Sequence, residues 1–323
     1  MPRAAAGTSA ARRWHTEAMP QPVITVVGPT ATGKSGLSLR LAEAVGGEIV
    51  NADSMQLYRG MDIGTAKLAP AQRAGVPHHL LDVWDVTRTA SVSEYQRLAR
   101  AAIGEISGRG RIPILVGGSG LYVRAAIDKL EFPGTDPLLR DRLEAELAEH
   151  GAPALHARLA RADPAAAAAI LPGNGRRIVR ALEVIELSGR PFSATLPGYE
   201  SLYPAVQIGL RLPREELDRR ITGRVSRMWQ AGFVAEVRDL ADRGLRSGRT
   251  ASRALGYAQV LRFLAGEWPQ EQAAAETAQA TRRFARRQEA WFRRDPRISW
   301  LAADDPGVAD LALAVLRESE LAG

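Results

Sequence analysis

Val23-Ile24-Thr25-Val26-Val27-Gly28-Pro29-Thr30-Ala31-Thr32-Gly33-Lys34-Ser35 is the stretch that decides how this chain folds. Its first five residues are a β-branched run, the composition of a parallel strand buried on both faces. Gly28 to Ser35 then matches G-x-x-x-x-G-K-[ST] at every required position. The spacing has a physical reason. The two glycines let backbone N–H groups curl round a chain of phosphates, while the following helix turns its N-terminus to the same anion. Lys34 adds a point charge, and the Ser35 hydroxyl is placed to ligate Mg²⁺. Gly28, Pro29, Thr30, Ala31, Thr32, Gly33, Lys34 and Ser35 are therefore the expected phosphate-chain site, with Leu37, Leu39, Leu41 and Ala44 on the helix behind them.

Outward from this loop, Glu48 to Ala52 reads as a second strand. It delivers Asp53-Ser54-Met55-Gln56-Leu57-Tyr58 at its carboxyl end, the edge where open α/β sheets bind ligands. A carboxylate at that edge has two jobs open to it, Mg²⁺ ligand or base. Arg59 to Lys67 is a glycine-punctuated loop near the phosphates. His78-His79-Leu80-Leu81-Asp82 reads as a strand end, and neither histidine has metal-ligand spacing. Ser91-Val92-Ser93-Glu94 resembles a capping box opening a helix whose apolar face is Val92, Tyr95, Leu98, Ala102, Ile103 and Ile106. Ile112 to Val116 is another buried strand, ending in Gly117-Gly118-Ser119-Gly120-Leu121-Tyr122, where small residues allow close approach and Ser119 offers a hydroxyl.

From Asp136 to about Tyr199 the pattern turns helical, with helices expected over 137–150, 153–160, 164–170 and 176–187 and no strand. Val206 to Leu212 then returns to the sheet. A helix over Leu217–Val237 carries Arg220 and Arg224 on one face. In Thr281 to Arg294, Phe284 and Trp291 share a stripe, as core residues would, while Arg282, Arg286 and Arg293 share another, flanked by Arg283, Arg287 and Arg294. The expected architecture is α/β: a P-loop NTPase-like parallel sheet flanked by helices (20–135 and 200–323), an all-helical insertion domain (136–199), and a disordered tail over residues 1–19. Met19 offers an alternative start.

Composition narrows the function. The chain has 323 residues, 46% hydrophobic content and no Cys, which excludes disulfides and thiolate zinc sites and suits a reducing cytoplasm. No apolar run approaches the ~20 residues of a membrane span. Net charge is +7, and residues 211–297 alone carry 19 Arg against 11 acids, leaving the remainder close to neutral. A basic excess confined to one segment points to a polyanionic partner, most simply nucleic acid. No symmetric apolar patch is evident, so a monomer is expected.

The separated motifs GPTATGKS, DSMQLYRGMDIGTAK, HHLLD, GGSGLY, RRIVRALEV, the Arg220/Arg224 segment, SRALGY (252–257) and TRRFARRQ, in that order, resemble the bacterial tRNA dimethylallyltransferases over about residues 21 to 301. The resemblance implies transfer of a dimethylallyl group from its diphosphate to N6 of the tRNA adenosine 3′-adjacent to the anticodon. The phosphate loop would then hold the diphosphate leaving group, with Mg²⁺ on Ser35. By the same resemblance Asp53 takes the proton from the amine. Ser119 stands where the family usually has Thr, the hydroxyl being retained, and Arg220 or Arg224 matches the arginine near the diphosphate. RNA contact is assigned to Asp53, Ser54, Met55, Gln56, Ser119, Arg140, Arg176, Arg177, Ile178, Val179, Arg180, Arg253, Gly256, Tyr257, Arg282, Arg283, Arg286, Arg287 and Gln288. The adenosine is expected to flip into a channel. A small-molecule kinase would leave DSMQLY and the basic segment unexplained, a free-nucleotide prenyltransferase would not need the insertion, and a non-enzymatic RNA binder would not need Lys34-Ser35.

Overall fold

The computed structural model describes residues 22–192 and 198–319; the expected tail over residues 1–19 lies outside the described residues. Six parallel strands form one sheet in the order β3-β2-β4-β1-β5-β6. They are β1 (Val23–Val27), β2 (Gly47–Asn51), β3 (His78–His79), β4 (Ile112–Gly117), β5 (Ala205–Arg211) and β6 (Ile298–Ala302). The first strand is central, with Val26 in register with Val116 of β4 on one side and Ile208 of β5 on the other.

Side chains alternate across this sheet, as the period of a strand demands. Ile24 and Val26 of β1 join Ile49, Ile114 and Ile208 in a core closed by Leu37 and Leu41 of α1 (Lys34–Val45) and by Ala312 and Leu316 of the last helix. Val23 and Val27 face the other way with Val50 and Leu115. They pack on Tyr95 and Ile103 of α2 (Val92–Gly108) and on Tyr122 and Val123 of α3 (Gly120–Ile127). Both faces are covered, which is why the strands read as unbroken apolar runs. At the start of α2 the Ser91 hydroxyl accepts from the Glu94 N–H, but the Glu94 carboxylate turns to Arg88, so only half of the capping box forms.

Between β4 and β5 the chain builds α4 (Pro137–Ala162), α5 (Pro164–Ala169) and α6 (Gly175–Ser188). The helices expected over 137–150 and 153–160 are both present as two arms of α4, parted at Gly151, which leaves helical geometry (φ +77°, ψ +165°) just before Pro153. These three helices enclose a core of their own, made of Leu143, Leu155, Leu159, Ile170, Ile178, Val179 and Leu182. Ile178 and Val179 are buried there, so the side chains expected at RNA hold the helices together instead.

The C-terminal third comprises α7 (Arg214–Gln230), α8 (Phe233–Asp242), α9 (Tyr257–Leu264), α10 (Gln270–Phe292) and, beyond β6, α11 (Val308–Glu318). The single helix expected over 217–237 is broken, because Gly232 takes φ +94°, a left-handed conformation that ends the α7 turn and starts α8. On α10 the buried stripe is Ala285, Gln288 and Phe292. Phe284 and Trp291, expected in the core, lie one position round the helix from that stripe; Phe284 is half-buried and Trp291 is 38% exposed.

Candidate active site

The loop after β1 has the form its spacing requires. Gly28 adopts φ +134°, and a Cβ there would lie 2.5 Å from the Leu210 carbonyl oxygen of β5. Only glycine can pass that point. Thr32 Oγ1 donates to the Pro29 carbonyl at 2.9 Å, and Lys34 Nζ donates to the same oxygen at 2.6 Å. The lysine is folded back onto its own loop. Burial pulls its pKa down to about 7, the Asp53 charge working against this and the Arg224 charge with it.

Asp53 follows β2, and its geometry is set by Asn51. The Asn51 Oδ1 accepts from the Asp53 N–H at 2.9 Å, while Nδ2 donates to the carbonyls of Asp53 and Leu80, both at 3.0 Å. The Asp53 Oδ1 accepts from the Met55 N–H at 2.9 Å. Ser119, at the end of β4, receives the Ser54 N–H on its hydroxyl at 3.2 Å, which ties the β2 and β4 ends together.

Arg220 and Arg224 separate cleanly. The Arg220 guanidinium is paired with Glu216 one turn back on α7. Arg224 reaches inward: Nη1 donates to Thr30 Oγ1 at 3.0 Å and Nη2 to the Thr65 carbonyl at 3.1 Å. Burial lowers its pKa, partly offset by Asp53. Arg224 is the arginine at the phosphate loop.

One cavity of about 330 Å³ joins these groups. Thr30, Asp53, Ser54, Ser119 and Arg224 supply polar lining, with Met55 beside them. Ile221, Val225 and Met228 of α7, with Tyr257 and Phe284, make an apolar wall, and Arg253 and Arg287 stand at its exposed edge. The spacing Ile221–Val225–Met228 is an ordinary apolar helix face, a signal present in the sequence that periodicity alone assigns to core. The Tyr257 hydroxyl donates to Glu236 at 2.6 Å, and that carboxylate also accepts from the N–H groups of Asp62, Ile63 and Gly64. Lys67 completes the loop by donating to the Tyr58 carbonyl, Asp62 and Asp82. No sequence pattern marks Glu236 as the anchor of that loop.

Gln288 was expected at RNA and is found in the interior. Its Oε1 accepts from the Thr30 N–H and its Nε2 donates to the Gly118 carbonyl, each at 2.9 Å, so α10 clamps the phosphate loop to the end of β4. Of the other residues expected at RNA, Arg176, Arg177, Arg253, Arg283, Arg286 and Arg287 are exposed. Arg282 is half-buried and donates to Thr222 Oγ1. Arg140 and Arg180 both pair with the buried Glu183, and Arg180 also donates to the carbonyls of Pro133 and Gly134. They lock α4 to α6 at the root of the helical segment.

The sequence model of the IPP transferase family matches residues 56–295. The chain belongs to this family. Membership extends to curated relatives named tRNA dimethylallyltransferase. One from Thermobifida fusca is 68% identical over 301 residues, covering 92% of this chain and 94% of the relative. Another from Streptomyces coelicolor is 68% identical over 296 residues, covering 91% and 94%. Among solved structures, the full-length tRNA isopentenylpyrophosphate transferase from Bacillus halodurans is 40% identical with a TM-score of 0.69, covering 93% of this chain and 98% of that one. A eukaryotic dimethylallyltransferase acting on tRNA superposes with a TM-score of 0.80 at 26% identity, covering 93% and 79%. The six-stranded parallel sheet with helices on both faces is the architecture expected for the family.

The donor set suits the magnesium implied for this family. The Ser35 hydroxyl makes no hydrogen bond to the protein among the described residues, and no cluster of three or more His, Asp or Glu side chains among them competes for a cation. A single hydroxyl beside a phosphate loop matches an ion that takes its remaining ligands from diphosphate oxygens and water. No described helix is long and apolar enough to cross a membrane.

Proposed function

We propose that this protein is a tRNA dimethylallyltransferase: it moves the dimethylallyl group from dimethylallyl diphosphate to N6 of the adenosine 3′-adjacent to the anticodon, releasing diphosphate. The observation that carries this is a cavity in which Thr30 of the phosphate loop, Asp53, Ser119 and Arg224 meet under an apolar wall and an arginine-lined edge. Phosphoryl transfer requires none of that apolar wall. A five-carbon branched chain requires all of it.

In the reaction, the C1–O bond of the prenyl diphosphate breaks and its electron pair leaves on the diphosphate. The adenine N6 lone pair forms the new C–N bond, and the N6 proton passes to the Asp53 carboxylate. Lys34, Arg224, the Thr30 hydroxyl and the loop N–H groups face the charge that develops on the leaving group. Mg²⁺, when bound by Ser35, neutralises further charge on the diphosphate. Desolvation of Lys34 and Arg224 before substrate arrives means that both cations regain in the bound complex the partner that burial denies them.

The RNA surface in this reading comprises Arg253 and Arg287 at the cavity edge, the exposed Arg283 and Arg286 of α10, and Arg176 and Arg177 on the helical insertion, residues 136–199. Ser54, Met55, Gln56 and Ser119 meet the flipped nucleotide at the sheet edge. The protein works as a cytoplasmic monomer. The decisive experiment incubates protein, Mg²⁺, dimethylallyl diphosphate and unmodified tRNA, then digests the RNA for nucleoside mass spectrometry. A dimethylallyl mass gain on that adenosine is the expected result. A gain on free AMP only, or phosphate transfer from ATP, would overturn it.

A further inference from the structure

Trp291 is not accounted for by the chemistry above. It is 38% exposed, a large share for a tryptophan on a helix that packs into the core through its next residue, Phe292. Its position is nonetheless built. A Cβ on Gly120 would lie 2.1 Å from both Cδ1 and Nε1 of the indole, so the ring edge rests on the bare backbone of the first α3 residue. That contact sets Trp291 next to Ser119, which lines the cavity. One turn earlier on α10, Gln288 grips the phosphate loop and Arg287 lines the cavity, and two turns earlier Phe284 lines it too. Arg287 lies four residues before Trp291 on the same side of α10, Arg294 follows in the turn just past the helix end, and both are exposed. The guanidinium of Arg287 already lies 5.7 Å over the Phe284 ring.

An exposed ring held flat at one edge and flanked by cations is what binds single-stranded nucleic acid: the arginines meet phosphates and the aromatic face takes a base. Taking the function above as given, we infer that Trp291 is a stacking platform for a base of the RNA next to the adenosine that enters the cavity. Flipping one nucleotide out of an anticodon loop removes a stacking partner from its neighbours. A fixed indole beside the point of entry replaces that partner. It thereby stabilises the opened loop, and its contribution falls on RNA binding, not on the prenyl donor.

The test measures direct binding of an anticodon stem-loop RNA by Trp291→Leu, Trp291→Phe and Gly120→Ala proteins, each first shown to melt like wild type. The Leu variant keeps an apolar side chain over Gly120 without a π-face, and Gly120→Ala keeps the tryptophan but pushes it off its seat. Both are expected to bind RNA about tenfold or more weakly, the loss typical of one base–aromatic stack, with KM for dimethylallyl diphosphate unchanged and Trp291→Phe close to wild type. A 2-aminopurine walked through the loop should be quenched at one position by wild type and at none by Trp291→Leu. If wild type binds and modifies the RNA while Trp291→Leu matches it in affinity and quenching, the stacking role is wrong. If wild type neither binds nor modifies RNA, the function it rests on fails as well, and the two failures are told apart by the wild-type arm.

Discussion

Arg224 donates to the hydroxyl of Thr30 at 3.0 Å across 194 residues of chain, and this one contact joins the basic C-terminal segment to the phosphate loop. Arg220, one turn away on the same helix, turns instead to Glu216. The two arginines are equivalent on a helical wheel and unequal in the protein. Arg224→Ala is expected to lower kcat/KM by about 10²–10³, the usual loss for one charge-stabilising donor. Arg220→Ala should stay within about threefold, since an exposed pair is worth little. Steady-state kinetics on dimethylallyl diphosphate at saturating tRNA makes the comparison; equal losses would remove Arg224 from the diphosphate.

For Asp53 the informative change is Asp53→Asn. It keeps an oxygen to accept the Met55 N–H and so preserves the turn, but removes the carboxylate proposed as the base. We expect kcat to fall by about 10²–10⁴ with tRNA affinity unchanged. Full turnover by the Asn variant would mean that the amine loses its proton elsewhere.

Lys34 makes a prediction in pH. Its folded pKa is lowered to about 7 by burial, below its ordinary value of 10.5. Between these values the unfolded chain holds more protons than the folded one, so stability of the free protein rises with pH across that window. Below pH 7 both states are protonated and the burial penalty is constant. Diphosphate binding gives the ammonium its counter-charge and raises the pKa again. At pH 8, then, binding should draw a proton onto Lys34, visible in calorimetry as a binding heat that changes with the ionisation enthalpy of the buffer. Lys34→Met should weaken diphosphate binding and remove most of that buffer dependence; an unchanged dependence would place the proton on another group.

Much of this site was legible in the sequence because its chemistry is local. The phosphate loop, Asp53 at the end of β2 and Ser119 at the end of β4 each sit directly after an apolar strand, and a parallel sheet brings all its carboxyl ends to one edge. What escaped reading were the tertiary partners. Gln288 sits among arginines in TRRFARRQ and shares their polarity, so nothing in the pattern distinguishes the one residue that turns inward. Phe284 and Trp291 failed for the converse reason: apolarity at helical spacing cannot tell a core stripe from a cavity wall, where Phe284 sits, or from a partly exposed edge, where Trp291 sits. The edge strand β6 carries Ser299 between Ile298 and Trp300, too short and mixed a run to announce itself after a basic helix. Arg140 and Arg180 were basic where RNA was expected; Glu183 stands one turn from Arg180 on α6, but only the fold brings it to Arg140.

Gln288 itself is open to test. Truncation to Ala leaves the Thr30 N–H and the Gly118 carbonyl without their partner in the interior. A loss of about 1–3 kcal/mol in unfolding free energy is expected, together with a fall in diphosphate affinity, because the loop is no longer fixed to β4. Gln288→Glu separates the two ends of the clamp, since it keeps an acceptor for Thr30 and loses the donor to Gly118. Chemical denaturation followed by diphosphate titration reads both. A variant with wild-type stability and affinity would reduce the clamp to a bystander.

The exposed arginines of α10 are the last question, and salt dependence decides it. Arg283 is exposed, and Arg287 stands at the cavity edge with its guanidinium over Phe284. If both neutralise phosphates, each releases a counterion on binding, and the slope of log K against log salt is shallower by roughly one unit for each contact removed. Arg283→Glu with Arg287→Glu should therefore weaken tRNA binding and flatten that slope by about two units. Affinity for dimethylallyl diphosphate should change little, because the proposed reaction seats its charged end at Arg224 and Lys34, not at the cavity edge. A weaker complex with the wild-type slope would mean that the substitutions act through the fold of α10 and not through phosphate contact. An unchanged complex would make this face a solvated one, and the anchoring charge would then have to come from Arg253 and the helical insertion.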